Sequence, residues 1–237
     1  VPVGAKDYGF VWPRDAFFVL RGAGLVGLDL YEGFFSWCED AEGFAKSGLF
    51  FEKYHTDGRK ARFHFQPDQT ASVLLALADY CGEDEHVRLQ YASFVKHCAD
   101  GLCKAWQGDR FAVISQDLWE ERLCFPDTAE GFSYSVAMCA AGLDAAAALV
   151  GVERYAGVAK KMRQVVLGGN PDFFSRSFGP LRDGRVDASL LGLVWPARLV
   201  EPSDGRMVRT VSSIVERLYR GGVFRYEGDE YDGWMFE

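Results

Sequence analysis

Across its 237 residues the chain alternates two kinds of helix-period segment, and few folds can satisfy both kinds at once. Residues 31 to 46 set Tyr31, Phe34, Phe35, Cys38 and Ala41 on one stripe. Residues 86 to 106 do the same with Val87, Tyr91, Phe94, Val95, Cys98 and Leu102, residues 152 to 167 with Tyr155, Ala159, Met162 and Val166, and residues 206 to 219 with Val208, Val211, Val215 and Leu218. A single apolar stripe needs cover on one side only, so these segments read as outer helices. Residues 15 to 28, 68 to 80 and 130 to 150 are instead apolar nearly all round, with runs such as Val73 to Leu77 and Ala145 to Leu149, and are expected to be buried on every side. Inner helices walled by outer ones, joined by short hairpins, predict an all-α fold: an (α/α) toroid of about eight helices in this chain. The loops 47 to 66 and 107 to 128 are long for helix connections and are expected to carry function. Their segments 49 to 54 and 110 to 114 are expected to form short strands.

Composition narrows the partners. The net charge of −8 argues against a nucleic acid or an anionic membrane surface, either of which calls for a basic excess. No apolar run reads as a membrane span, and Val1-Pro2-Val3-Gly4 carries no signal-peptide pattern. With 49% hydrophobic and 15% aromatic residues and no linker or low-complexity tract, residues 1 to 237 read as a single domain. Cys38, Cys81, Cys98, Cys103, Cys124 and Cys139 form no C-x-x-C pair and sit in apolar surroundings. They read as reduced core thiols, which suits a cytoplasmic protein. His97, Cys98 and Cys103 are explained by a helix register rather than by zinc, and no metal or other cofactor is expected.

The chemistry concentrates in three aromatic-rich clusters. In Asp117-Leu118-Trp119-Glu120-Glu121 two carboxylates follow an indole. Desolvation by Trp119 and mutual repulsion are expected to favour a protonated carboxyl on Glu120 or Glu121, as a general acid requires. Tyr8, Trp12, Pro13, Arg14 and Asp15 put two aromatics beside a fixed cation and a carboxylate at a helix entry. Near the end, Arg225, Tyr226, Asp229, Tyr231 and Trp234 repeat that recipe in a loop punctuated by glycine. Aromatic faces stack on the apolar side of a pyranose, while Arg and Asp hold its hydroxyls. Together with Gln66-Pro67-Asp68 and Asp187, these clusters are expected at the starts of inner helices, which share one rim of a toroid.

This order of elements resembles glycoside hydrolase family 15, the glucoamylase, glucodextranase and trehalase family. The matching elements are Tyr-x-x-x-Trp-x-Arg-Asp at 8 to 15, Gln-x-Asp at 66 to 68, Asp-Leu-Trp-Glu-Glu at 117 to 121, Asp-Ala-Ser-Leu-Leu at 187 to 191, which looks like the family's Asp-Ala-x-x-Leu-Leu helix start one residue short, and Arg-Tyr-x-x-Asp-x-Tyr at 225 to 231. The resemblance implies an inverting, exo-acting α-glucoside hydrolase with Glu120 as general acid. Tyr8, Trp12, Arg14, Asp15, Trp119, Glu121, Arg225, Tyr226, Asp229 and Trp234 would then bind the sugar. The implied partner is an α-glucan, an oligosaccharide or trehalose, with the linkage left open among α-1,4, α-1,6 and α,α-1,1. The family's full barrel has twelve helices, so the chain reads as a fragment, and the family's common N-terminal β-sandwich has no counterpart in it. The family's general base lies beyond the Arg-Tyr element and no residue here inherits it. Inversion needs that second carboxylate roughly 6.5 to 9.5 Å from the acid. A glucan-binding or regulatory module with the same pocket and no catalysis is the alternative.

Overall fold

The computed structural model describes residues 9–181 and 183–229. Helices α1 (Pro13–Leu25), α2 (Tyr31–Asp40), α3 (Phe44–Ser47), α4 (Pro67–Cys81), α5 (Glu85–Ala105), α6 (Ser133–Val150), α7 (Glu153–Leu167) and α8 (Gly205–Leu218) make up half of it. Six two-residue strands pair as hairpin-like clips: β1 (Phe10–Val11) with β2 (Tyr54–His55), β3 (Ser115–Gln116) with β4 (Leu123–Cys124), and β5 (Gly131–Phe132) with β6 (Ser177–Phe178).

The ends of the helices follow from local chemistry. Pro13 and Pro67 open α1 and α4 after an extended residue, because their fixed φ suits the first turn. Asp84 and Asp204 cap α5 and α8 by accepting from backbone N–H groups two and three residues on. Gly48, at φ 67°, ends α3 in the left-handed region that a side chain disfavours.

Two hydrogen bonds fix the inner layer. Arg14, the second residue of α1, donates to Asp68, the second of α4, and Asp68 in turn accepts from Ser135, the third of α6. The N-termini of α1, α4 and α6 therefore meet at one rim, and the three helices run in the same sense. Helix α6 packs most extensively on α4 and α7 and also touches α5. Its approach to α4 is close enough that a Cβ on Gly142 would sit 3.0 Å from the Ala71 backbone. Val136, Met138, Cys139 and Leu143 are fully buried in this layer, each large apolar side chain contributing about 1.5–3 kcal/mol.

Several expectations need correction. Segment 15 to 28 is not buried all round: α1 buries Pro13, Arg14, Phe17 and Leu20, while Val19 is 62% and Leu25 89% exposed, because α4 is the one described helix it meets over a broad face. The helix expected over 31 to 46 is interrupted at residues 41–43. There Glu42 N–H donates to Gly58 O, so loop 56–60 takes a bond the helix would have used. Asp187 opens a 3-10 turn, Ala188–Leu193, in place of an α-helix start. The short strands lie at 54–55, overlapping the expected segment only at Tyr54, and at 115–116, just past the other. One apolar run does have the length and composition of a membrane span: α6, 18 residues with mean hydropathy 1.5, whose surface is instead taken up by neighbouring helices.

All six cysteines are unpaired. Burial pushes the thiols up, to about 11 for Cys103 and about 12 for Cys124. His97 does not turn to them; its Nε2 lies 2.8 Å from the Phe44 carbonyl oxygen.

Candidate active site

The β3–β4 hairpin presents the acidic cluster, and Asp117 shapes its turn. The Asp117 carboxylate accepts from the N–H groups of Glu121 and Arg122, each at 2.9 Å. Its carbonyl accepts from Glu120 N–H at 3.2 Å, and its own N–H donates to Arg122 O at 3.0 Å. This folding-back forces Glu120 to φ 65°, a left-handed conformation that costs a non-glycine residue about 1 kcal/mol or more.

Each carboxylate then meets its own cation. Trp12 Nε1 donates to Glu120 Oε1 at 2.5 Å, and Lys53 Nζ stands 3.3 Å from Glu120 Oε2. Lys53 also lies 3.4 Å from Glu52 and 5.0 Å from the Trp12 ring centre. Glu121 Oε1 accepts from Arg225 Nη2 at 3.0 Å. The expected picture, two mutually repelling carboxyls shielded by Trp119, is thus not what forms. The indole against Glu120 belongs to Trp12 and donates a hydrogen bond, whereas the Trp119 indole N–H goes to the Asp187 carboxylate at 3.1 and 3.2 Å.

Beneath the hairpin lies a buried polar frame at the helix N-termini. Arg14 N–H donates to Gln69 Oε1 at 2.7 Å, and Arg14 Nη1 donates to Asp68 at 3.0 Å and to Gln66 at 3.3 Å. Gln69 donates to Gln66, and Gln66 donates to the Asp117 carbonyl at 2.9 Å, which joins the frame to the hairpin. Burial opposes the Arg14 cation, but Asp68 and Asp15 outweigh it and hold its pKa above the usual arginine value. Asp15 pairs with Arg14 Nε at 3.2 Å while its side chain stays mostly exposed at the rim.

The third cluster closes the far side. Arg225 donates to both oxygens of Asp229, at 2.7 and 2.6 Å, and its guanidinium carbon lies 5.8 Å from the Trp119 ring centre. Tyr226 pairs its backbone with Asp187, and Arg176 lies 4.2 Å over the Tyr226 ring. Arg176 also donates to Asp117, and its Nε stands 3.0 Å from Asp187, off the hydrogen-bonding line. Burial pushes the Asp187 carboxyl up, more than Arg176, Ser189 and Trp119 pull it down.

The structure therefore gathers Trp12, Arg14, Asp15, Trp119, Glu120, Glu121, Arg225, Tyr226 and Asp229 into one connected cluster at the rim where α1, α4 and α6 begin. Tyr8, Tyr231 and Trp234 lie outside the described residues. The sequence reading missed Lys53, Gln69, Ser135 and Arg176. Lys53 sits in an expected loop strand and Arg176 in an unremarked stretch, and only the fold brings them in. Among the described residues no group of three His, Cys, Asp or Glu side chains is arranged to hold a metal ion. A separate open groove of about 660 Å³, lined in part by Ser133, Asn170, Phe173 and Phe178, shares none of the acidic or indole groups above.

The chain is similar to known proteins over most of its length. A glycosyl hydrolase of Methanocaldococcus jannaschii, itself uncharacterized, is 28% identical over 96% of this chain. A bacterial glucoamylase solved in complex with acarbose superposes with a TM-score of 0.72 at 18% identity over 94% of the chain. The glucoamylase from Saccharomycopsis fibuligera gives 0.72 at 15% identity over 98%. These likenesses establish the fold as part of the (α/α)6 barrel of the glucoamylases. The chain spans 38% of the length of the Methanocaldococcus protein, and 36% and 60% of the two glucoamylase chains. The family model for glycosyl hydrolases family 15 matches residues 35–232, and the chain belongs to that family.

Proposed function

We propose that this chain forms the acid-bearing part of an exo-acting, inverting α-glucoside hydrolase, with Glu120 as the general acid. The observation that carries the reading is the placement of the Glu120 carboxylate. It stands at a strained hairpin tip, held by the Trp12 indole and Lys53, and the next residue, Glu121, is paired with Arg225. The innermost glucose unit lies between the Trp12 and Trp119 indoles. Arg14, Asp15, Glu121 and Arg225 grip its hydroxyls by charge-assisted hydrogen bonds, and Tyr226 and Asp229 hold Arg225 in register. Glu120 gives its proton to the glycosidic oxygen as the C1–O bond breaks, and the leaving sugar departs neutral. Water attacks C1 from the opposite face, activated by a second carboxylate that we assign to no residue of this chain. As the sugar enters, it takes over hydrogen bonds that Trp12 and Lys53 make with Glu120. The substrate is an α-glucan, an oligosaccharide or trehalose. No metal enters this scheme, because two carboxylates and water supply the chemistry.

The test is to incubate the natural protein with maltose, isomaltose and trehalose and follow the first product by proton NMR. Release of β-glucose before mutarotation supports the reading. Trehalose should give β- and α-glucose equally, since its leaving unit keeps the α configuration; α-glucose from the non-reducing unit of maltose or isomaltose, or α-glucose alone from trehalose, overturns inversion, and tight sugar binding without any release marks a glucan-binding module instead.

A further inference from the structure

We infer that Arg176 is a positioning residue that sets Glu120 against the bound sugar by acting as the shared counter-ion of two loops. The inference rests on the reading of Glu120 as the acid. Arg176 is not among the partners of the Glu120 carboxylate: its side chain is 2% exposed, and it is anchored from behind by the Ser133 N–H, which donates to its carbonyl at 3.0 Å at the start of α6. From there its guanidinium reaches three ways. One nitrogen donates to Asp117, the residue whose carboxylate holds the Glu121 and Arg122 N–H groups and so shapes the turn that strains Glu120. Another stands 3.0 Å from Asp187, which accepts from the Trp119 indole. Its planar face covers the Tyr226 ring, one residue from Arg225. Asp183 adds a more distant carboxylate at 4.0 Å.

Asp117 and Asp187 are buried carboxylates from loops seventy residues apart in sequence, and Arg176 is the cation placed between them. Without it the two anions repel and are desolvated together, so one of them must move or take up a proton. Movement of Asp117 releases the turn and shifts the Glu120 carboxylate. Movement of Asp187 frees Trp119 and the Tyr226 backbone. A lysine at this position restores the charge but offers a single compact donor in place of a planar fork with a stacking face.

The experiment compares two substrates: the disaccharide the natural protein cleaves best, whose leaving sugar needs a proton, and α-D-glucopyranosyl fluoride, whose leaving group departs as an anion without one. The ratio of their kcat/KM values is independent of how much of a variant is folded, so simple destabilisation leaves it unchanged. Arg176→Lys is expected to lower the disaccharide-to-fluoride ratio about tenfold to a hundredfold, the effect of an acid misplaced by a fraction of an ångström to an ångström. Asp187→Asn, close in shape to the natural residue, is expected to lower it in the same direction and serves if Arg176→Lys does not fold. Glu120→Gln, measured in parallel, should lower the ratio furthest. If Glu120→Gln collapses the ratio while both Arg176→Lys and Asp187→Asn stay within about twofold of wild type, the link through Arg176 is refuted and the acid stands. If Glu120→Gln leaves the ratio unchanged, the acid assignment falls and the inference falls with it.

Discussion

The frame around Arg14 and the hairpin tip around Glu120 are built from the same kinds of group, yet they differ in burial. In the frame, Asp68, Gln66 and Gln69 are sealed from solvent, and their hydrogen bonds tie the starts of α1, α4 and α6 together. At the tip, the Lys53 and Glu120 side chains keep 17% and 27% of their exposure, and the Arg225–Glu121 pair is similarly open. Rigidity and reactivity are thereby divided between the two. A cation and carboxylate sealed by helix ends cannot exchange partners cheaply, so they hold geometry. A pair open to solvent can give up its partner to an incoming hydroxyl, so it can take part in chemistry.

The contrast makes predictions that can break it. The largest effect belongs to the tip: Glu120→Gln should lower kcat on the disaccharide by about 10²–10⁴-fold in steady-state assays, with the melting temperature unchanged. Asp68→Asn strikes the frame and should cost about 3–5 kcal/mol in urea unfolding, because Arg14 is left as a buried cation without its main counter-ion. A large stability loss for Glu120→Gln together with a trivial one for Asp68→Asn would reverse the division. Trp119→Phe keeps a ring but removes the donor to Asp187, and should cost about 1.5 kcal/mol. Lys53→Met breaks a half-open pair and should cost at most about 1 kcal/mol in the same unfolding assay.

The smallest effect is a pH dependence. Burial raises the Asp187 carboxyl above its unfolded value, so the folded protein holds that proton more tightly than the unfolded chain. The contribution of Asp187 to stability is therefore greatest below the unfolded value of about 3.9, and falls as pH rises through the higher folded value. Unfolding of wild type and Asp187→Asn compared across the acid range should show the wild type losing ground to the variant as pH increases over that window. A difference that does not vary with pH there would contradict the burial argument.

Much of this was legible in residue order. The period of α5 and α7 and the all-round apolarity of α4 and α6 read directly as outer and inner helices, and the elements at 12 to 15, 117 to 121 and 225 to 229 do converge. For α8 the expected stripe is wrong: Val208, Val211 and Val215 are exposed, and the helix buries Met207, Thr210, Ile214 and Leu218 instead. What the order could not carry was pairing. Nothing near Glu120 in sequence announces Lys53 or Trp12 as its partners, since a β1–β2 clip and a loop bring them in. Adjacency suggested that Trp119 shields Glu120, but the left-handed turn at Glu120 sends the neighbouring side chains to different partners. Segment 15 to 28 misled for a related reason: apolarity all round states what a helix can bury, whereas α1 buries only what α4 covers. Arg176 was invisible because its value lies in joining loops far apart in the chain.

The central claim is that the Glu120 hairpin and the Arg225 loop enclose one sugar unit. The most direct test is a crystal structure of the Glu120→Gln variant of the natural protein with its uncleaved disaccharide. A glucose ring is expected between the Trp12 and Trp119 indoles, with Arg225 on its hydroxyls and the glycosidic oxygen within hydrogen-bonding distance of the residue 120 side chain. A sugar lodged in the groove beside Ser133 and Phe173, with this rim empty, would contradict it.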